Sequence, residues 1–153
     1  MLLHDLPRLN LPAFDVRWKE AGENTLIWDS IRKKYLVLTP EEWVRQHFIH
    51  LLHTHLHYPK AWFKIESGLS YNRTSKRSDI LILNRDGSAR LLVECKAAEI
   101  PLSADVLRQV SIYNHSLQAD YVAITNGMKH FVWKFFPDQN TYQPLRDFPV
   151  YQR

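Results

Sequence analysis

The sequence contains little cysteine and no long apolar run, and both absences narrow the possible classes of protein. Cys95 is the only cysteine among the 153 residues, so the chain cannot form an internal disulfide, and nothing indicates a secreted disulfide scaffold. No stretch approaches the roughly 20 apolar residues that span a bilayer. The first residues also lack the basic start and apolar run of a signal peptide. We therefore expect a cytoplasmic protein without membrane contact.

Internal repeats, low-complexity tracts and linkers are also missing. The length suits one compact domain, which we place at residues 1–153, with a core at about 25–136. Apolar residues make up 45% of the chain, which argues against wholesale disorder. Lys and Arg outnumber Asp and Glu by 20 to 16, and the pI is about 9.2. This mild excess favours an anionic partner such as nucleic acid.

The first part of the chain predicts a hairpin and a helix. Residues 1–24 resemble an irregular, proline-punctuated lead-in, and TLIW (25–28) and KYLVL (34–38) predict an N-terminal β-hairpin. A helix begins at Thr39-Pro40, where Thr39 is a suitable N-cap, and apolar residues then follow at helical spacing. We expect Pro59 to end this helix.

The rest of the chain alternates strand and helix patterns. Asp86-Gly87 between two apolar runs predicts a hairpin, and Asn126-Gly127 predicts a second tight turn. The elements are strands at 62–69, 78–83 and 90–97, a helix from Ser103 through Leu117, and strands at 121–126 and 130–136. This order predicts an α/β protein with a mixed sheet of about four to five strands and helices on its faces.

Three ionisable residues lie where an ordinary core sheet would avoid them. Asp79 begins one strand of the predicted hairpin, and Glu94 and Lys96 lie inside the apolar run of the other. Because side chains alternate along a strand, Glu94 and Lys96 share a face and Cys95 points away. The hairpin is short enough to bring Asp79 beside Glu94. We expect two carboxylates and one ammonium at one end of the sheet.

This arrangement suits a hard divalent cation. Two nearby carboxylates repel each other unless a cation joins them, and Mg²⁺ binds carboxylate, carbonyl and water oxygens. Asp79, Glu94 and the Cys95 carbonyl would be the ligands of Mg²⁺ or Mn²⁺. Lys96 would orient or deprotonate the attacking water, or stabilise charge on a phosphate. The alternative is a structural salt bridge between Glu94 and Lys96, with Asp79 capping a turn.

Asp79 followed by Glu94-Cys95-Lys96, between two helical segments, resembles the PD-(D/E)xK nuclease superfamily. Within it, the chain is similar to the N-terminal nuclease domain of type I restriction enzyme R subunits, in a short stand-alone form. The resemblance runs from about residue 25 to 136, and its strings are TPEEWVRQHFI, KRSDILIL, LLVECKA, LRQVSIYN and AITNG. One departure is Ser78-Asp79 where the family pattern has Pro-Asp.

The resemblance implies a restriction-endonuclease-like core in αβββαβ order and a metal-dependent nuclease that cuts DNA. Asp79 and Glu94 would then bind the metal, and Lys96 would be the catalytic lysine. A carboxylate on the first helix often completes such sites. We favour Glu41, because it lies on the apolar stripe of the predicted helix, over Glu42 at the edge of that stripe. For both, stabilisation of the helix N-terminus is the plain alternative.

Two further groups extend the predicted site. Gln109 and Tyr113 lie one turn apart on the second helix, and the resemblance implies that such a pair contacts DNA or the lysine. The alternative is an ordinary surface pair. A basic loop precedes Asp79 and could bind a nucleic-acid backbone, or could simply be solvated. Its residues are Arg73, Lys76 and Arg77.

We weigh two other functional hypotheses against nuclease activity. The chain lacks the motor and methylation partners with which R subunits work, so it could bind DNA, or other restriction or repair subunits, without cutting. It could also be a structural domain without a nucleic-acid role. A zinc site at His50, His53 and His57 is a minor alternative, because no cysteine or HExxH pattern accompanies the histidines.

Overall fold

The computed structural model describes residues 3–65 and 80–152. The strands of these residues are β1 (Trp18–Ala21), β2 (Asn24–Asp29), β3 (Lys34–Val37), β4 (Phe63–Ile65), β5 (Ile80–Leu83), β6 (Ala89–Cys95), β7 (Tyr121–Thr125), β8 (His130–Phe136) and β9 (Thr141–Leu145). The α-helices are α1 (Pro40–His50) and α2 (Ala104–Leu117), and short helical turns lie at Leu3–Asp5, Leu51–His55 and Lys60–Trp62. Within these ranges, no helix has the length and apolar character that crossing a bilayer requires.

The main sheet has six strands in the order β4-β5-β6-β7-β8-β9. Strands β6 and β7 are parallel, and the other neighbours are antiparallel, so the predicted mixed sheet is confirmed. Helix α2 connects the two parallel strands, as a parallel pair requires a crossover. The prediction of four to five strands was wrong, because a further strand, β9, pairs with β8.

The two helices pack on opposite faces of this sheet. Val44, Phe48 and Leu52 from the first helical segment join a core that includes Val93 and Cys95 of β6. Val106 and Val110 of α2 join a second core that includes Leu92. Alternation along β6 therefore directs Cys95 toward α1 and Glu94 toward α2.

The N-terminal residues form a separate three-stranded antiparallel sheet in the order β1-β2-β3. The predicted hairpin over 25–28 and 34–38 is present as β2 and β3. The assignment of residues 1–24 to irregular structure was wrong at β1. All four residues of β1 are exposed, so the strand shows none of the alternating burial that sequence patterns detect.

Strand β9 was missed for a related reason. Its residues are exposed or half-buried, and Pro144 interrupts the sequence. Proline lacks a backbone N–H and is confined to edge strands or strand starts, and β9 is at the edge of the sheet. An edge position with one neighbour accommodates a sequence that a central strand would not.

Helix α1 begins as predicted but ends earlier. The Thr39 hydroxyl accepts a hydrogen bond from the Glu42 N–H at 3.0 Å, which caps the helix, and Pro40 occupies the first turn. The α-helix ends at His50 and continues as a π-helical turn to His55. Pro59 therefore follows the end of the helix by several residues and does not cause it. His57 adopts a left-handed conformation, with a φ of +66°, two residues before Pro59.

Candidate functional site

Glu94 and Lys96 form a buried ion pair at the carboxyl end of β6. Lys96 Nζ lies 3.0 Å from Glu94 Oε1, so the two side chains share a face, as predicted. Glu94 is 3% exposed and Lys96 is 7% exposed. The Cys95 side chain is fully buried on the other face, in the core beneath α1. The Lys96 N–H donates to the Thr125 carbonyl at 2.8 Å, which fixes the pair against the end of β7.

Helix α1 and the loop that leads into α2 both approach this edge of the sheet. Gly127 follows the end of β7 with a φ of +84°, and its Cα lies so close to Val44 that an added Cβ would be 3.2 Å from it. On the other side, Asn126 Nδ2 donates to the Ile100 carbonyl at 2.8 Å, in the loop that leads into α2. The carboxyl edge of parallel strands, flanked by helix N-termini, is a common location for ligand sites in α/β proteins.

Several predicted site residues lie outside the described residues. They are Asp79 and the basic-loop residues Arg73, Lys76 and Arg77. The described pairing of β5 with β6 begins at Ile80 opposite Val93. In sequence, Asp79 precedes Ile80 and Glu94 follows Val93. Among the residues that the structure describes, no three His, Cys, Asp or Glu side chains form a group that could hold a metal ion.

A second buried charged group joins α1 to the small sheet. We call it the Glu42 cluster; Asp29, Glu42, Arg45 and Gln46 are buried, and the half-buried Arg32 completes it. Arg45 binds both Glu42 carboxylate oxygens, from Nε at 3.0 Å and from Nη2 at 2.6 Å. Gln46 Nε2 donates to Glu42 at 2.9 Å and to Asp29 at 3.0 Å. Bidentate arginine–carboxylate contacts of this kind are among the stronger polar interactions in proteins.

Asp29 is the other acidic centre of the cluster. Its Oδ1 accepts the N–H groups of Ile31 and Arg32, each at 2.8 Å, and its Oδ2 accepts Arg32 Nε at 2.8 Å. Burial would raise the pKa of Asp29, but the Arg32 N–H, the Arg32 charge and the Gln46 amide together outweigh it. The pKa therefore lies below its ordinary value, and the carboxylate stays charged while it is buried.

The structure corrects the orientation expected for the helix carboxylates. Glu42, not Glu41, is the buried one, with 5% exposure, and Glu41 is only half-buried. The apolar stripe of α1 was a poor guide because α1 is buried beyond that stripe: Arg45, Gln46 and His47 are buried as well. The small sheet supplies Asp29 and Arg32 on that side. The role predicted for Glu41, with Glu42 as its alternative, stays a prediction.

The second helix holds the remaining predicted residues. Gln109 is exposed, and Tyr113 is half-buried against the core between α2 and the sheet. Their predicted contact with DNA or with Lys96 stays a prediction. Ser103 occupies the N-cap position of α2 as expected, but its side chain makes no capping hydrogen bond.

Sequence reasoning missed most of the Glu42 cluster. Asp29 was not singled out, and Arg45 and Gln46 appear in the sequence analysis within the string TPEEWVRQHFI. A usable signal was present, because Glu42, Arg45 and Gln46 occupy i, i+3 and i+4 positions of one predicted helix. Nothing in that spacing indicated a second sheet that would bury them.

Two histidines, one in α1 and one in the π-helical turn that follows it, contact backbone carbonyls of the protein. His47 Nδ1 lies 2.8 Å from the Trp43 carbonyl, and His53 Nδ1 lies 2.9 Å from the Tyr58 carbonyl. Burial lowers the pKa of His47 and His50, and the neighbouring histidine charges lower that of His50 further. The lowered pKa favours the neutral imidazole in both of these residues.

Comparison with known proteins shows the family to which the chain belongs. Residues 40–149 match the family model described as type I restriction enzyme R protein N terminus. The match includes α1, the described strands of the main sheet and α2, and it covers most of the chain. The chain therefore belongs to the type I restriction enzyme R protein N-terminal family. No match was found among curated proteins or among solved structures.

Proposed function

We propose that this chain is a metal-dependent nuclease that hydrolyses DNA phosphodiester bonds at the carboxyl edge of β6, on a restriction-endonuclease-like core of the PD-(D/E)xK type. The observation that carries the proposal is the buried Glu94–Lys96 pair, in a member of a restriction enzyme family. The cytoplasm of a cell with restriction-modification systems is the location that this function implies.

The burial of the pair is hard to explain by stability alone. Moving both charges out of water costs several kcal/mol, and apolar residues of similar size would stabilise the same position at least as well. Leu92 and Ile124, which neighbour Glu94, are ordinary core residues of that face. A charged pair retained at the end of an apolar strand is therefore a candidate for chemistry.

The donor atoms fit a hard divalent cation. Glu94 supplies a carboxylate at the strand end, and Asp79 and the Cys95 carbonyl are the further ligands that we propose for Mg²⁺ or Mn²⁺. Such an ion, when bound, lowers the pKa of water and offsets charge on phosphate oxygens. We propose Glu41 as the additional helix carboxylate, because both oxygens of Glu42 already bind Arg45.

Lys96 has the central role among the side chains. Its ammonium lies next to Glu94, so the carboxylate fixes its position for contact with a water or a phosphate oxygen. We propose that Lys96 orients the attacking water and stabilises the charge that develops on the phosphate. Gln109 and Tyr113 on α2, with Arg73, Lys76 and Arg77, are proposed to position the DNA.

The test is cleavage by the purified chain with Mg²⁺ or Mn²⁺, on supercoiled, linear and single-stranded DNA. Glu94→Ala and Lys96→Ala should each reduce cleavage by about 100-fold or more, because each removes a group that acts on the reacting phosphate. Glu99→Ala and Lys34→Ala are matched controls at exposed positions and should cut normally. A chain that binds neither metal and cuts no form of DNA would refute the proposal.

A second candidate function is DNA or subunit binding without cleavage. It is favoured by one observation, since the Glu94 carboxylate has a cationic partner within the chain, Lys96 Nζ at 3.0 Å. Salt-sensitive DNA binding that survives Asp79→Ala, without cleavage in any metal, would support this function over the first.

A further inference from the structure

An open apolar groove lies beside the Glu94–Lys96 pair, on the same face of the sheet. It has a volume of about 330 Å³ and is bounded by the first turns of α2 and by β7 and β8. Its lining includes Leu102, Leu107, Ile124, Phe131 and Trp133. We call it the Phe131 groove.

The register of the sheet places this groove next to the proposed site. Glu94 pairs with Ile124, and Ile124 pairs with Phe131, so the three residues form one row across β6, β7 and β8. Neighbouring strands are about 4.8 Å apart, so the row places Phe131 roughly 10 Å from Glu94. That distance is within the reach of the nucleotide next to a phosphate at Glu94.

The groove presents an aromatic surface to solvent. Phe131, the second residue of β8, is 44% exposed. Its ring stacks on Trp133, with a centroid separation of 6.1 Å and an interplanar angle of 26°. Exposed aromatic rings bind unpaired bases by stacking, and this binding tolerates any base because each has a π-face.

The charged residues around the groove are compatible with a nucleic acid. Lys129 lies two residues before Phe131, and Arg108 follows Leu107 on α2. Both are exposed, although Arg108 lies 3.5 Å from the exposed Asp105. The chain as a whole carries a net charge of +4. An apolar slot in a basic chain, with Lys129 and Arg108 close in sequence to its lining residues, fits a base whose neighbouring phosphates lie outside.

We propose that the Phe131 groove binds an unpaired nucleobase that flanks the scissile phosphate, so that single-stranded or frayed DNA is the preferred substrate. This inference rests on the proposed function, because it names the substrate form of the same site. It gives Phe131 a role in binding and none in the chemical step.

The experiment measures binding of a fluorescein-labelled oligo(dT) strand to the full chain by anisotropy, at low salt and in EDTA. Phe131→Leu keeps an apolar side chain but removes the ring, and it should weaken binding by about 10-fold. Phe131→Trp should retain binding. Ile112→Ala, at a 65% exposed position of α2 outside the groove, is the control and should bind as wild type.

A second probe separates stacking from backbone contacts. An abasic strand of the same length keeps its phosphates, so Phe131→Leu should leave its binding unchanged. Equal binding of oligo(dT) by wild type and Phe131→Leu would overturn the inference. So would a Phe131-dependent self-association of the chain in sedimentation with no effect on oligo(dT), because the groove would then bind a second copy.

Different results would refute the nuclease proposal and the base-binding proposal. Because the binding assay contains no metal, it does not depend on cleavage. Cleavage that requires Glu94 and Lys96, with binding and cleavage unaffected by Phe131→Leu, would overturn this inference alone. Ring-dependent binding of oligo(dT) by a chain that never cuts DNA would overturn the nuclease proposal and retain the base-binding groove.

Discussion

Two buried charged groups, the Glu42 cluster and the Glu94–Lys96 pair, differ in the kind of cation that each contains. The Glu42 cluster holds Arg32 and Arg45, whose planar guanidinium groups bind carboxylates in a fixed geometry. The pair holds Lys96, whose ammonium is a point charge on a flexible stem. The cations of the first group are thus held in one orientation, and the cation of the second can reorient.

The difference separates structural from chemical roles. In the Glu42 cluster, each carboxylate accepts several hydrogen bonds, and the contacts run between α1 and the small sheet. A carboxylate with both oxygens bound to arginine has little capacity left for a ligand. The Glu94–Lys96 pair lies at a strand end beside an open groove. We therefore assign stability to the first group and propose chemistry for the second.

The largest expected effect is on stability, at Glu42. Glu42→Ala leaves Arg45 buried and charged without its carboxylate, and it should lower the free energy of unfolding by about 3–5 kcal/mol. Glu94→Ala should cost less, because Glu42 accepts hydrogen bonds from both Arg45 and Gln46, so its removal leaves two buried side chains without that partner. Urea denaturation of both variants tests this, with Glu99→Ala as the control. Equal decreases in the free energy of unfolding for Glu42→Ala and Glu94→Ala would contradict the distinction between the two groups.

A smaller effect is expected on acidification of the wild-type chain. Burial lowers the pKa of His47, His50 and His130 below the ordinary 6.5. Below that pH, the unfolded chain binds protons that the folded chain does not, so the free energy of unfolding should fall. At still lower pH, the Asp29 carboxylate, whose pKa is also lowered, becomes protonated, and the stability that it contributes to the folded chain is lost. The measurement is urea denaturation at about pH 7.5 and about pH 5.5.

A matched variant tests the histidine explanation. His47→Gln should flatten the slope below about pH 6.5, whereas His4→Gln, at an exposed position, should leave it unchanged. An unchanged slope in His47→Gln would assign the acid sensitivity to other groups.

The smallest expected effect on stability concerns the N-caps of the two helices. Thr39→Ala removes the hydroxyl that accepts the Glu42 N–H, and it should cost about 1 kcal/mol. Ser103→Ala should cost less, because the Ser103 side chain makes no capping hydrogen bond. Thermal denaturation of both variants gives the comparison. A larger loss of stability for Ser103→Ala than for Thr39→Ala would contradict this comparison, because it would mean that the Ser103 side chain stabilises α2 more than its geometry implies.

The elements with strong local patterns could be predicted from the sequence. The turn at Asp86-Gly87, the cap at Thr39 and the apolar strands β5 to β8 depend on a few neighbouring residues. The missed strands, β1 and β9, lie at sheet edges with exposed side chains, so burial leaves no periodic pattern in them. Edge strands are defined by the neighbour with which they pair, and that information is not local.

In the candidate site as well, features that depend on a local pattern were predicted, and features that depend on distant elements were missed. The shared face of Glu94 and Lys96 follows from alternation along one strand and is confirmed. Glu42 was assigned to the edge of the apolar stripe because the pattern of α1 contains no sign of the small sheet that buries it. The Phe131 groove was also missed, because its row depends on the pairing of three strands.

Pro144 in β9 has a consequence for how the chain meets other chains. An exposed sheet edge offers free N–H and C=O groups on which a foreign strand can extend the sheet. Proline supplies no N–H, so the β9 edge presents an interrupted row of donors. Continuous strand addition along β9, of the kind that begins aggregation, is therefore discouraged. A fusion partner or neighbouring subunit would have to contact this edge through side chains.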